Sequence, residues 1–120
     1  MTAGLVLPAA PRDDLTTLLP VLRRRLEEER AFRLDQLAEL DVTDPGDAAR
    51  REVAELVAAG AAIALEDIEI ALLRMDIGSY GRCHTCHAEI SVRLLEAIPQ
   101  TRSCGAHWRT EEEALAGSRP

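Results

Sequence analysis

Leucines at 15, 19, 22, 26, 34, 37 and 40 fall close to one helical face at a 3.6-residue period, with Arg30 and Arg33 near the gap. The opposite face carries Arg23, Arg24, Glu27, Glu28, Asp35 and Glu39, which predicts an amphipathic helix from Val21 to about Leu40. Asp13 and Asp14 are candidate N-caps for a helix opening at Leu15. Pro20 either sets a short leading turn apart from the main helix or sits in its first turn. The run RRRLEEER reads as a solvated face with i,i+4 pairs. In Asp41-Val-Thr-Asp-Pro-Gly-Asp47 the helix breaks, because Pro45 steers Asp44 away from helical dihedrals and Gly46 permits a turn. A second helix is predicted from Asp47 or Ala48 to Ile77, with Gly78 as its stop. Leu56, Ile63, Ile70 and Ile77 recur at heptad spacing, and Val53, Val57, Ala64, Ile68 and Ala71 widen that stripe. Asp67 and Arg74 lie beside it.

Two amphipathic helices joined by a short Pro-Gly turn fold back on each other. With Cys83, Cys86, Cys104 and His107 spaced as C-x2-C and C-x2-H knuckles, the expected fold class is all-α: an antiparallel coiled-coil helical hairpin with a small C-terminal zinc finger and a short C-terminal helix. The expected organisation is a disordered leader at 1–12, the hairpin at 13–77 with its tip at about 41–49, and the finger at 78–107. Residues 108–120 would hold the short helix, opening at Gly105, and a frayed end. Trp108 is expected to pack against the finger or the base of the hairpin.

Composition supports helices packed along a stripe, since aromatics make up only 2% of the chain and cannot build a ring-filled core. The net charge of −7, from 21 acidic against 14 basic residues, argues against a general phosphate-backbone binder. No run of apolar residues is long enough for a membrane span. The start, MTAGLVLPAAPRDD, lacks a basic n-region and is interrupted by Pro8 and Pro11, so it is read as a leader and not a signal peptide. With metal-ligating thiols, this favours a reducing cytoplasm.

The chemistry is concentrated between Tyr80 and His107, which hold all three cysteines and all three histidines. Cys83-His-Thr-Cys86 and Cys104-Gly-Ala-His107 form two knuckles separated by seventeen residues, the C-x2-C…C-x2-H pattern. Zinc takes four thiolate or imidazole ligands in a tetrahedron, and two such knuckles bring four donors to one point. Cys83, Cys86, Cys104 and His107 are the expected ligands of one structural Zn2+. His84 and His87 are alternatives for the fourth place, although they would crowd the first knuckle. A redox CxxC would need a βαβ setting, which the pattern lacks. A catalytic zinc would keep an open position and a nearby base, for which Glu89 is the nominee; four good ligands argue for a closed site and no enzyme activity. Arg82, Arg93, Arg102 and Arg109 make this stretch locally basic, either as a docking surface for an acidic partner or as solvated charge.

Tyr80, Gly81, Cys83, Cys86, Glu89, Ile90, Arg93, Leu95, Glu96, Ala97, Pro99, Cys104 and His107 together resemble the DksA/TraR zinc-finger family. Upstream, Asp44-Pro-Gly-Asp47-Ala-Ala49 looks like that family's tip motif, and the two motifs bracket roughly half the chain. The resemblance implies a protein that binds bacterial RNA polymerase and inserts its coiled-coil tip through the secondary channel to modulate initiation. By position, Asp44 and Asp47 would be the tip acids and Ala49 the tip alanine. Read without the family, the two aspartates make a turn and an N-cap.

The chain departs from the pattern at Ala48, where a basic residue is usual, at His87, where glycine is usual, and at His107, which replaces a cysteine. The second arm is about one turn short. Only Arg50, Arg51 and Arg74 lie between Asp47 and Ile77, so no cationic cradle for ppGpp is predicted. The alternative function is a zinc-stabilised coiled-coil adaptor acting on some other partner. Such an adaptor would depend on apolar arm residues such as Leu26 or Ile68.

Overall fold

Pro20 has no backbone N–H, and the chain places it where none is needed, in the first turn of a long helix. The computed structural model describes residues 12–42 and 48–107. In it a one-turn helix α1 (Asp13–Thr16) precedes α2 (Leu19–Val42), α3 (Ala48–Ile77) and a short α4 (Val92–Ala97). A leading turn is thus set apart, and the proline opens the long helix α2. Neither aspartate is an N-cap. That position is Arg12, which makes no side-chain cap, while Asp13 and Asp14 occupy the first turn, where acids suit the helix dipole.

The bounds of α3 match the pattern. Gly78 takes φ +82°, and the Ser79 N–H donates to the Arg74 carbonyl at 2.9 Å, so the last turn closes as a Schellman motif. Helices α2 and α3 pack against each other. Arg23 pairs with Asp76 at 2.9 Å and Arg30 with Glu69 at 3.2 Å, so the two helices run in opposite directions. The stretch 43–47 that joins them, with Asp44 and Asp47, lies outside the described residues, as do the leader at 1–11, Trp108 and Arg109. Residues 105–107 are helical, and the rest of the predicted C-terminal helix also falls outside.

The faces in contact match the predicted ones only in part: Ile68 and Ala71 of the predicted stripe are buried, but its heptad row is not. On α3 the buried residues are Ala61, Ile68 and Ala71, whereas Leu56, Ile63 and Ile77 of the heptad row are 69%, 65% and 68% exposed. Small side chains let α2 approach closely, so the alanine-rich face wins the contact and the bulky row points away. On α2, Leu22 and Leu26 are buried but Leu34 is an exposed residue. The inner face continues through half-buried Glu29, Arg33 and Gln36. Arg33 donates to Glu29 Oε2 at 3.0 Å and to Gln36 Oε1 at 3.1 Å, which satisfies these groups where leucines would otherwise pack. Leu26 and Ile68 are almost fully enclosed, so they are core residues and cannot report on a partner.

One apolar cluster runs from the helices into the Cys/His module at 79–107. Leu15, Leu22, Leu26, Ile68 and Ala71 pack with Tyr80, Cys83, Ile90 and Leu95. Each large aliphatic side chain enclosed here contributes roughly 1.5–3 kcal/mol. The base of the helix pair and the module therefore share a core.

Candidate metal centre

The first knuckle is built on a tight reversal between Arg82 and Glu89, which form an isolated antiparallel bridge. The Cys83 N–H donates to the Ala88 carbonyl and the His87 N–H to the Cys83 carbonyl, both at 2.8 Å, which turns Cys83 and Cys86 toward the same side. The second knuckle is tied to the first where the His84 N–H donates to the Arg102 carbonyl at 2.7 Å. Between them α4 fills the spacer. Its N-cap Ser91 accepts from the Leu94 N–H at 3.2 Å, and Leu95 is buried beneath it. The periodicity reading missed this helix; the signal was a serine ahead of Val92-Arg-Leu-Leu-Glu-Ala97, good helix formers in a stretch too short to show a period.

Cys83, Cys86, Cys104 and His107 converge, with their ligand atoms all within 4.8 Å of one another. A tetrahedral ion with metal–sulfur bonds of about 2.3 Å sets sulfur–sulfur edges near 3.8 Å and sulfur–nitrogen edges near 3.5 Å. Cys86 Sγ lies 3.8 Å from Cys104 Sγ, and Cys83 Sγ lies 3.5 Å from His107 Nδ1. Cys104 Sγ is closer to that nitrogen, at 3.0 Å. The four residues fit one metal ion, with Nδ1 as the imidazole ligand. His107, and neither His84 nor His87, belongs to this cluster.

The electrostatics suit a cation. Cys83 is 0% exposed, and burial opposes its ionisation. Backbone N–H groups of Cys104, Cys86 and Thr85 nevertheless point at the sulfur and bring the thiol down to about 5. Cys104 is also lowered, by the His107 backbone N–H and then its ring. The Cys104 sulfur in turn raises His107. The Ala88 backbone N–H favours the Cys86 thiolate, but desolvation and then the neighbouring sulfurs of Cys83 and Cys104 outweigh it and raise this thiol.

Three arginines hold this module to the helices through its main chain. Arg12, at the end of the predicted leader, donates from Nη1 to the carbonyls of Gly81 at 3.2 Å and Ile90 at 2.9 Å. Arg25 Nη1 donates to the Glu96 carbonyl at 2.7 Å. Arg74 Nη2 donates to the Ser79 carbonyl at 2.9 Å and to that of Arg82. The Tyr80 hydroxyl completes the set by donating to the Pro99 carbonyl at 2.7 Å, and burial pushes this phenol up to about 12. Of the proposed basic surface, Arg82 pairs with Glu89 at 3.5 Å and Arg102 reaches Asp67 at 3.9 Å, while Arg93 is exposed.

His87 holds φ +62°, the one described non-glycine residue in the left-handed region. A histidine there costs about 1 kcal/mol relative to glycine. His87→Gly is accordingly expected to raise the stability of the metal-loaded chain by about that amount, read as a higher urea midpoint. A lower midpoint would mean that the ring makes a compensating contact.

Fold and site together define a class: a helical chain whose two long antiparallel helices carry a Cys3His cluster able to hold one metal ion. Comparison with protein-family models, curated proteins and solved structures finds no match to this chain. Among the described residues no helix is long and apolar enough to cross a membrane.

Proposed function

We propose that the chain is a regulator of the DksA/TraR type, which binds bacterial RNA polymerase and acts on initiation through the stretch joining α2 and α3. In this reading α2 and α3 are the arms of an antiparallel coiled-coil hairpin, 78–107 is a zinc finger, and the turn at 105–107 opens the short C-terminal helix. Three thiolates and an imidazole in a tetrahedral arrangement are a zinc set, and the ion's part is to hold the finger folded. The observation that carries the reading is the layout of α3. The Cys3His module is fixed to its C-terminal end, and the Asp44-Pro-Gly-Asp47 stretch immediately precedes its N-terminal end, about 45 Å away along the axis. Carboxylates presented at the end of such a rod can meet basic side chains or disturb a magnesium site.

Arg74 is engaged with module carbonyls, and Arg50 and Arg51 are the other cations of α3, too few for a pyrophosphate cradle. We therefore expect a response that does not require ppGpp, in a cytoplasmic protein. The test compares wild type with Asp44→Asn/Asp47→Asn for binding to purified bacterial RNA polymerase and for initiation in vitro. Both proteins should bind with affinities within about threefold, and only wild type should change initiation. If the zinc-loaded wild type does not bind polymerase, the reading fails.

A further inference from the structure

We propose that the outer face of α3 is a docking site for a basic amphipathic helix, separate from both the metal cluster and the junction with α2. Val53, Leu56, Ile63, Ile70, Leu73 and Ile77 lie on this face, and all but Ile70 are among the exposed large hydrophobic residues. The row from Leu56 to Ile77 extends about 30 Å, several turns of a partner helix. Gly60 sits within it, and a Cβ built there meets nothing within 4 Å, so a partner backbone can approach closely. A hydrophobic stripe of this length outside the helix pair is the surface an amphipathic helix covers.

Charge selects the occupant. Glu52, Glu55, Glu66, Glu69 and Asp76 are all exposed and, at helical spacing, all fall on one flank of the row. Glu69 and Asp76 are paired inward with Arg30 and Arg23, which leaves Glu52, Glu55 and Glu66 as the edge a partner would meet. A second copy of this chain is a poor match. An antiparallel two-fold pair sets the acidic flank against itself, with like charges opposed. A parallel pair sets it against the other flank, Val53, Gly60, Asp67 and Arg74, whose one cation is already bound to the Ser79 and Arg82 carbonyls. The complement is a helix with an apolar heptad ridge and lysine or arginine beside it.

The test uses the full metal-loaded chain and two labelled synthetic helices with leucine at a and d, one carrying lysine and the other glutamate at the flanking positions. Fluorescence anisotropy should show binding of the lysine helix and none of the glutamate helix. Leu56→Ser/Ile63→Ser should weaken binding at least about tenfold, and Glu52→Gln/Glu55→Gln/Glu66→Gln about fivefold at low salt. Val21→Ser/Leu34→Ser, which alters exposed apolar residues of α2, should stay within about twofold. Circular dichroism establishes that each variant keeps its helices. Equal binding of the two helices, or an equal loss in the α2 control, would overturn the proposal. So would a wild-type dimer in sedimentation that Leu56→Ser/Ile63→Ser converts to monomer, since the occupant would then be a second copy.

Discussion

Cys83→Ser is expected to abolish stoichiometric metal binding and unfold the Cys/His module while α2 and α3 stay helical. Cys83 belongs both to the Cys3His cluster and to the shared core, where it is fully enclosed beside Ile90 and Leu95. The module has little secondary structure of its own to hold it. Its one complete helix in the described residues has six residues, far below the length at which a helix is stable alone. Metal binding in small Cys/His domains is worth roughly 10–16 kcal/mol, most of which appears as folding energy. Amide hydrogen exchange should therefore lose protection at Cys83, His84 and Ile90, whose N–H groups bond across the module, and keep it through the middle of α3. Retained protection in the metal-free variant would mean that the arginine contacts alone hold the module.

Acid should act in the same direction. The Cys83 pKa is depressed to about 5, so its thiolate contribution is complete above the ordinary thiol range and is lost as pH falls through about 5. Metal release on acidification, followed by metal content after desalting, should fall at or below about pH 5, because a bound cation holds the thiolate against the proton.

Gly81→Ala should be the most damaging glycine substitution among the described residues. Gly81 has φ +88°, and a Cβ there would lie 2.5 Å from Leu15 Cδ2, 3.4 Å from Arg12 Nη1 and 3.8 Å from Leu95 Cδ1. Alanine adds the left-handed backbone cost of about 1 kcal/mol and an overpacking cost of roughly 1–3 kcal/mol, because Leu15 is buried and has little room to move. Gly78 supplies the control. It has φ +82° with nothing within 4 Å, so Gly78→Ala should show the backbone part alone. Urea midpoints should separate the two by about 2 kcal/mol. Combining Gly81→Ala with Leu15→Ala should cost less than the sum of the single changes, since the truncated side chain vacates the contested space. Equal effects at the two glycines would remove the steric argument.

These residues also mark how far the sequence could be read. The bounds of α3 were legible because Gly78 and the Pro45-Gly46 break are local signals that act within a turn of the helix end. The ligand set was legible because a C-x2-C and a C-x2-H can be brought together in few ways. The orientation of α3 was legible only in part. Heptad spacing finds a bulky row with Ile68 and Ala71 beside it, but contact went to these two and to Ala61, and hydrophobicity weights the two alanines lightly while close packing favours them. Arg12 was hidden. Its bonds to Gly81 and Ile90 span more than half the chain, and nothing next to it announces them.

Arg12, Arg25 and Arg74 share a property: each grips carbonyl oxygens of the module, although Arg12 also reaches Glu89 Oε1 at 3.5 Å and Arg74 reaches Ser79 Oγ at 3.4 Å. A carbonyl is present whatever residue bears it. The outward side chain of Glu96, whose carbonyl Arg25 holds, can thus be exchanged without altering the angle at which the head sits on the shaft. The same handle can carry differently decorated heads, so surface chemistry and geometry can be engineered one at a time.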